Sequence, residues 1–464
     1  MQNKGNNSAS FRDPDGFVFK QNGVNYRQVN ASYAADYQLL MASGLYAELV
    51  KKYLLIPHKE CDLKTFAEHP DAYLIVEPEQ LSFVSYPYEW SFSQLKDAAL
   101  VTLEVQALAL SFGMCLKDAS AYNIQFHKGK PVFIDTLSFT TYKEGEPWQA
   151  FRQFCQHFLA PLALMKNTDI QLSQLLRIHI DGIPLDLASR LLPFKTRFNL
   201  TLATNIHLHA RFQSNYGSGK EEVKQRKVSK NGILGLVSLL RGYIKGLDWK
   251  PKGTEWAAYY TDTNYTAAGL AHKKETLRSM LDKAAPKRVL DLGANNGVFS
   301  RIAAEKAEHV ISSDIDPSAV EQNYMQVCKA NETNLLPLLV DLTNPPGASG
   351  WANVERSSFL DRAKVDLTMM LALIHHLCIS NNLPFEEVAA MAAKQSNWLI
   401  IEFVPKQDSQ VQRLLLNRKD IFLSYDQSNF ELAFTKHYKV VQKEKVMDSD
   451  RVLYLMERYA EPGR

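Results

Sequence analysis

Residues 288–316 read RVLDLGANNGVFSRIAAEKAEHVISSDID. The apolar run Val289, Leu290, Leu292 stops at Gly293, and Ala294-Asn295-Asn296-Gly297 makes a short turn. Val298, Phe299, Ile302 and Ala303 then recur at the spacing of one helix face. A second apolar run, His309-Val310-Ile311, ends in Ser312-Ser313-Asp314. Strand, glycine turn, helix, strand, acid is the skeleton of a nucleotide-cofactor site. Glycine lets the backbone approach a ligand, and the closing acid can accept hydrogen bonds from a ribose diol. Asp314 lies 17 positions after Gly297, near the separation of about 20 expected of that acid. The competing reading is an ordinary βαβ unit without a ligand.

Two details separate this stretch from a dinucleotide site. Asn295 stands where a dinucleotide fingerprint has its second glycine; a pyrophosphate wants bare amides there, whereas a sulfonium cofactor has no phosphate to cradle. Asp291, just ahead of the turn, suits a cationic cofactor bearing an amino group. VLDLGANNG resembles the first motif of the class I S-adenosylmethionine-dependent methyltransferases, with Asn295 as its departure. The resemblance implies that S-adenosyl-L-methionine is the cofactor. It also implies that Asp291, Gly293 and Gly297, with Asn295 between them, surround the methionine portion, and that Asp314 holds the ribose.

The segments that follow extend the same pattern. LPLLVDLTNP (336–345) reads as a third strand ending in Asp341, where the class often carries an acid for the adenine amino group; a turn or helix-capping aspartate is the alternative. VDLTMMLALIHHL (365–377) reads as a strand buried on both faces. It runs out into His375 and His376, at the sheet edge where ligands bind. Either histidine can be a general base or only shape the pocket. NWLIIEFVPKQDSQV (397–411) reads as a fifth strand ending at Glu402, a third catalytic candidate or a salt-bridge partner of Lys406. YKVVQKEKVMDSDRVLYLMER (438–458) reads as a closing hairpin, the feature that separates a methyltransferase sheet from a dinucleotide-binding one. Ahead of the sheet, Trp256, Tyr259, Tyr260 and Tyr265 either cover the cofactor's methyl group or form a packed cap.

The N-terminal half reads differently. Residues 1–10 are polar and expected to be disordered, and 16–29 form a hairpin around Asn22-Gly23. A helical pattern runs through Tyr37, Leu40, Leu45, Leu49 and Tyr53; strand-like pieces follow at 72–76 and 81–86, and a long helix at 91–112. In LKDASAYNIQFHKGKPVFIDTLSF (116–139), Asp118 and Asn123 share a loop, and Asp135 ends a strand after a turn at Lys128-Gly129. This resembles the catalytic loop and metal-binding acid of the protein and aminoglycoside kinase superfamily. The resemblance implies Asp118 as proton acceptor, with Asn123 and Asp135 holding magnesium. Leu116-Lys117 and Thr136-Leu137 depart from the superfamily's pattern, no glycine-rich loop occurs in 11–30, and Arg27 is the candidate for the phosphate-binding lysine. The alternative is that all three polar residues cap turns.

Residues 147–212 read as helical and apolar; His207 and His209 would share one face of a strand, and structural roles are expected of them. Residues 213–254 form a basic linker containing an amphipathic helix, 232–247, expected to dock on a neighbouring domain rather than a membrane. Almost the full length, through FRDPDGFVF, SYPYEWSFSQLKDAAL, LKDASAYNIQF and RQFCQHFLAPLALM, resembles a bacterial family of large class I methyltransferase-like proteins, some of them nodulation-protein-like.

Bulk numbers bound the rest. A net charge of +3 argues for neither nucleic acid nor anionic membrane as an obligatory partner. Five scattered cysteines without a CxxC pair fit reduced thiols rather than a zinc site, so no metal is expected and a cytoplasmic location is. The sequence therefore predicts an α/β protein of two domains. A mixed α/β kinase-like or substrate-presenting domain (11–212) is joined by the linker (213–254) to a Rossmann-like, seven-stranded methyltransferase domain (255–464). The expected reaction is methyl transfer to a small-molecule or glycan-type acceptor. The rivals are a bifunctional kinase–methyltransferase and a non-catalytic cofactor-binding scaffold.

Overall fold

In the second half of the chain, β9 (Arg288–Leu292), β10 (His309–Asp314), β11 (Leu335–Leu339), β12 (Leu367–Met370), β13 (Trp398–Phe403), β14 (Tyr438–Lys445) and β15 (Val452–Arg458) form one seven-stranded sheet. The computed structural model describes residues 9–66, 71–210, 227–250, 265–416 and 419–460. Its contacts divide the chain into two compact units: Met1–Lys250 with Ala348–Ser357, and Pro251–Gly347 with Ser358–Arg464.

The sheet order is β11-β10-β9-β12-β13-β15-β14. Six strands run in one direction; β15 alone runs against them, between β13 and β14. The chain first moves outward from β9 to β11, then returns to pair β12 against the free side of β9. That reversal opens a crevice at the carboxyl ends of β9 and β12, where an open α/β sheet receives its ligand. Strand β12 is buried at every position, as a strand covered on both faces must be. Helix Ala267–Ala284, capped by the Thr266 hydroxyl, packs Leu277, Met280 and Leu281 into the core beneath the sheet.

In the first unit, β1 (Gly16–Gln21), β2 (Val24–Asn30), β3 (His58–Cys61) and β4 (Ala72–Pro78) pair antiparallel in the order β1-β2-β4-β3. Asn22 and Gly23 both have positive φ, the turn that matches the twist of a two-residue hairpin. Gly44, at φ +86°, breaks the expected helical run into Ala34–Ala42 and Leu45–Lys51. The strand expected at 81–86 does not form. The Ser85 amide donates to the Gln125 side chain and the Tyr86 amide to Glu89, so these groups are not free for a ladder. Helix Phe92–Ser111 starts with a Ser91/Gln94 capping box. It leads to β5 (Met114–Leu116), which pairs with β8 (Phe139–Thr141), around the hairpin of β6 (Ile124–His127) and β7 (Lys130–Phe133).

Helix Lys230–Lys245 also belongs to the first unit. Ile233, Val237, Leu240 and Ile244 are buried, and the helix packs on Phe92–Ser111 with Arg241 paired to Glu104. His207 and His209 lie on a helical segment, not a strand. Both ring nitrogens of His207 are engaged, by Ser189 at 2.8 Å and Thr196 at 3.0 Å. Of the N-terminal residues expected to be disordered, 1–8 lie outside the described residues, whereas the Ser10 hydroxyl accepts from the Val18 amide. The basic stretch 211–226 and Trp256, Tyr259 and Tyr260 also lie outside the described residues.

Candidate functional site

A cavity of about 380 Å³ opens at the reversal point of the sheet, within the size range of small-ligand sites. Its walls are the segments that leave β9, β10, β11 and β12, together with the start of helix Ala267–Ala284. Gly297, at φ +79°, turns the chain into helix Val298–Ala304. A Cβ there would stand 2.5 Å from the Asn323 side chain, so only glycine fits.

Asp291, the fourth residue of β9, faces this cavity and is 1% exposed. One of its oxygens accepts from the Ser300 hydroxyl at 2.6 Å; Ser300 in turn contacts Ser312, which accepts from Asn323. Burial pushes the Asp291 carboxyl up to about 7, opposed by the Ser300 hydrogen bond and assisted by the nearby Asp314. Asp314 ends β10 and accepts the amides of Asn295 at 2.7 Å and Asp316 at 2.9 Å. Burial raises it to about 6. Asn295, at φ +51°, lines the cavity and thus also organises Asp314. Asp341 lies two residues past β11; it caps its own turn through the Thr343 amide and hydroxyl and lines the cavity as well.

The three catalytic candidates separate. His376 lines the cavity; burial lowers its pKa to about 4, helped by Arg451. His375 is fully buried behind it, ring centroids 4.1 Å apart, with neither ring nitrogen hydrogen-bonded, and it is not among the lining residues. Glu402 is fully buried too, and its partners are Lys273 at 2.6 Å and the Tyr265 hydroxyl. Lys406, the partner considered from sequence, pairs instead with Asp420.

Sequence reasoning missed the group that holds Glu402. Lys273 is 1% exposed, lines the cavity, and sits over the rings of Tyr265 and Phe299 at 4.7 and 4.6 Å. The Tyr265 hydroxyl donates to Glu402 and accepts from Lys273 and from Arg451, each at 3.1 Å. Arg451 is held by both oxygens of Asp408. Burial alone would raise Glu402, but Lys273 and Arg451 overcome it and hold the carboxyl below its ordinary value. One signal was present: Leu270, Lys273, Leu277 and Leu281 fall at helical spacing, so a lysine interrupts an otherwise apolar stripe. Arg451 and Asp408 gave no local sign.

In the first unit, Asp118, Asn123 and Asp135 do come together. The Asn123 amide group donates to Ser138 at 3.1 Å, and the Ser138 hydroxyl donates to Asp135. Asp118 accepts the Ser120 amide at 2.9 Å; burial raises its carboxyl, with Asp135 adding to the effect. Asp135 is also bound by the Leu137 amide at 3.2 Å and by Arg27 at 2.5 Å.

No protein-family model matches the chain. It is 34% identical over 459 residues to the nodulation protein NoeA of Rhizobium meliloti (strain 1021), covering 97% of this chain and 96% of that protein. The chain belongs to the NoeA family. Among solved structures, similarity is found to the N-methyltransferase NodS of Bradyrhizobium japonicum WM9, with 12% identity, TM-score 0.32, and coverage of 42% of this chain and 98% of NodS. It is also found to the magnesium protoporphyrin IX methyltransferase ChlM of Synechocystis PCC 6803, with 16% identity, TM-score 0.32, and coverage of 44% and 93%. The bifunctional kinase–methyltransferase WbdD shows 15% identity and TM-score 0.30, with 41% of each chain covered.

Proposed function

We propose that this NoeA-family protein is an S-adenosylmethionine-dependent methyltransferase whose site is the cavity of the second unit. One observation carries the reading. Asp291 and Asp314 are buried carboxylates on one cavity, and the lysine lining it, Lys273, is already neutralised by Glu402. Such a site repels pyrophosphate and favours a cation that brings ammonium and hydroxyl donors. S-Adenosylmethionine offers a sulfonium, an ammonium and a ribose diol. Asp291 would hold the ammonium, Asp314 the ribose hydroxyls and Asp341 the adenine side, with Gly293 and Asn295 closing over the methionine portion. The sheet order, with its one antiparallel strand inside the edge, supports a class I methyltransferase.

When bound, the cofactor supplies a methyl group on an excellent leaving group. The chain's own residues orient the acceptor, exclude water and take its proton. His376 is the one of the three candidates that lines the cavity; burial holds its imidazole neutral and weakly basic, which suits it to accepting a hydrogen bond that orients the acceptor. His375 backs the ring, and Glu402 fixes Lys273 and Tyr265 rather than reaching an acceptor. The acceptor class remains the small-molecule or glycan type. The test is calorimetric titration of the full chain with S-adenosylmethionine; one-to-one binding is expected, and no heat at 1 mM cofactor ends the proposal.

The convergence of Asp118, Asn123 and Asp135 favours a second reading, a bifunctional kinase–methyltransferase on a kinase-like first unit. Against it, both oxygens of Asp135 are held by protein groups: Arg27 and Leu137 on one, Ser138 on the other. Titration with Mg-ATP is expected to give no binding. Binding that disappears in Asp135→Ala would establish the second reading instead.

A further inference from the structure

We infer that residues 191–200 of the first unit form a contact surface for anionic lipid headgroups. Within seven residues, Phe194, Phe198 and Leu200 are 67%, 79% and 68% exposed. Phe194 and Phe198 begin and end one short helical turn, their rings packed edge to face at 5.6 Å. Asn199 caps the next helix, which starts at Leu200.

The turn is inside out. Thr196, at its centre, is 3% exposed, and its hydroxyl is engaged by the Pro193 carbonyl at 2.7 Å and His207 at 3.0 Å. A folded unit ordinarily buries phenylalanine and exposes threonine. Here the polar side chain anchors the turn and the aromatic pair is held outward, so its exposure is built in rather than left over.

Charge identifies the occupant. Residues 187–210 contain Arg190, Lys195 and Arg197 and no aspartate or glutamate. Arg190 pairs with Asp186. Lys195 and Arg197 are exposed, and the Arg197 guanidinium lies 5.3 Å from the Phe194 ring centroid. Exposed phenylalanine and leucine with adjacent cations, and no acid within residues 187–210, is the chemistry of a bilayer interface carrying anionic lipid. The rings enter the acyl boundary while the cations meet the lipid phosphates. The amphipathic helix Lys230–Lys245 does not serve this purpose, because Ile233, Val237, Leu240 and Ile244 on its apolar face are buried in its own unit.

The test is co-sedimentation of the full chain with phosphatidylcholine vesicles, with and without 30% phosphatidylglycerol (roughly the anionic content that gives a strongly negative surface). Binding is expected only to the anionic vesicles, falling on addition of 0.5 M salt, about the concentration that screens surface charges. Phe194→Ser/Phe198→Ser and, separately, Lys195→Glu/Arg197→Glu should each weaken it roughly tenfold or more. Their thermal midpoints should match wild type, since these side chains are exposed. Equal binding to both vesicles, no binding to either, or retention by Phe194→Ser/Phe198→Ser overturns the inference. So does concentration-dependent self-association that accounts for all the pelleted protein.

Discussion

Asp314→Ala is expected to lower the affinity for S-adenosylhomocysteine by about 100-fold or more, read by calorimetry at pH 7.5. Two ribose hydroxyls donating to one buried carboxylate are each worth about 1.5–3 kcal/mol as charge-assisted hydrogen bonds, and each 1.4 kcal/mol is about tenfold. The pH profile gives an independent check. Burial raises Asp314 to about 6 and Asp291 to about 7, so both are partly protonated in mildly acidic solution and cannot accept fully. Wild-type affinity should therefore climb as pH rises from 5 to 8 and then level. Asp314→Asn should keep only the limb near 7, which belongs to Asp291. Unchanged affinity in Asp314→Ala would remove the ribose role and with it the proposed cofactor geometry.

Lys273→Met is expected to destabilise the protein by about 3 kcal/mol, because it removes the ion-pair partner of a buried carboxylate and leaves it the Tyr265 hydroxyl and the more distant Arg451. In a unit of about 200 residues that corresponds to roughly 10 °C in the midpoint of its thermal transition. Without the lysine, desolvation raises the folded-state pKa of Glu402 above its unfolded value. The folded variant then binds a proton that the unfolded chain has released, so its stability falls as pH rises. The loss should be larger at pH 8 than at pH 5. Lys273→Met/Glu402→Leu removes both charges and should recover most of the loss, since replacing a whole buried pair with apolar side chains is often near neutral. A Lys273→Met melt equal to wild type at both pH values would show that the pair does not hold the site together.

The sequence alone determined the elements that obey local rules. A two-residue periodicity or a continuous apolar run, bounded by Asn-Gly or Gly, is enough to specify β1, β2, β9, β10 and β12, because turn chemistry and burial on both faces act on neighbouring residues. Gly293 and Gly297 follow from the same kind of local rule, since both take positive φ in the turn between strand and helix; Asp291 and Asp314 were candidates through the motif's resemblance, and the fold brings both to the cavity.

Tertiary structure decided what depends on distant partners. Residues 81–86 look like a strand, but Gln125, 40 positions beyond Ser85, takes an amide that a ladder would need. His375 and His376 are adjacent in sequence, yet one faces the cavity and the other is sealed behind it. For Glu402 the sequence offers a catalytic role or a salt bridge to Lys406, four residues away, but it is held by Lys273, 129 residues upstream. Arg451 and Asp408, 43 apart, close the same network. Burial makes each of these charges require a counter-charge, and only the folded chain decides which distant residue supplies it.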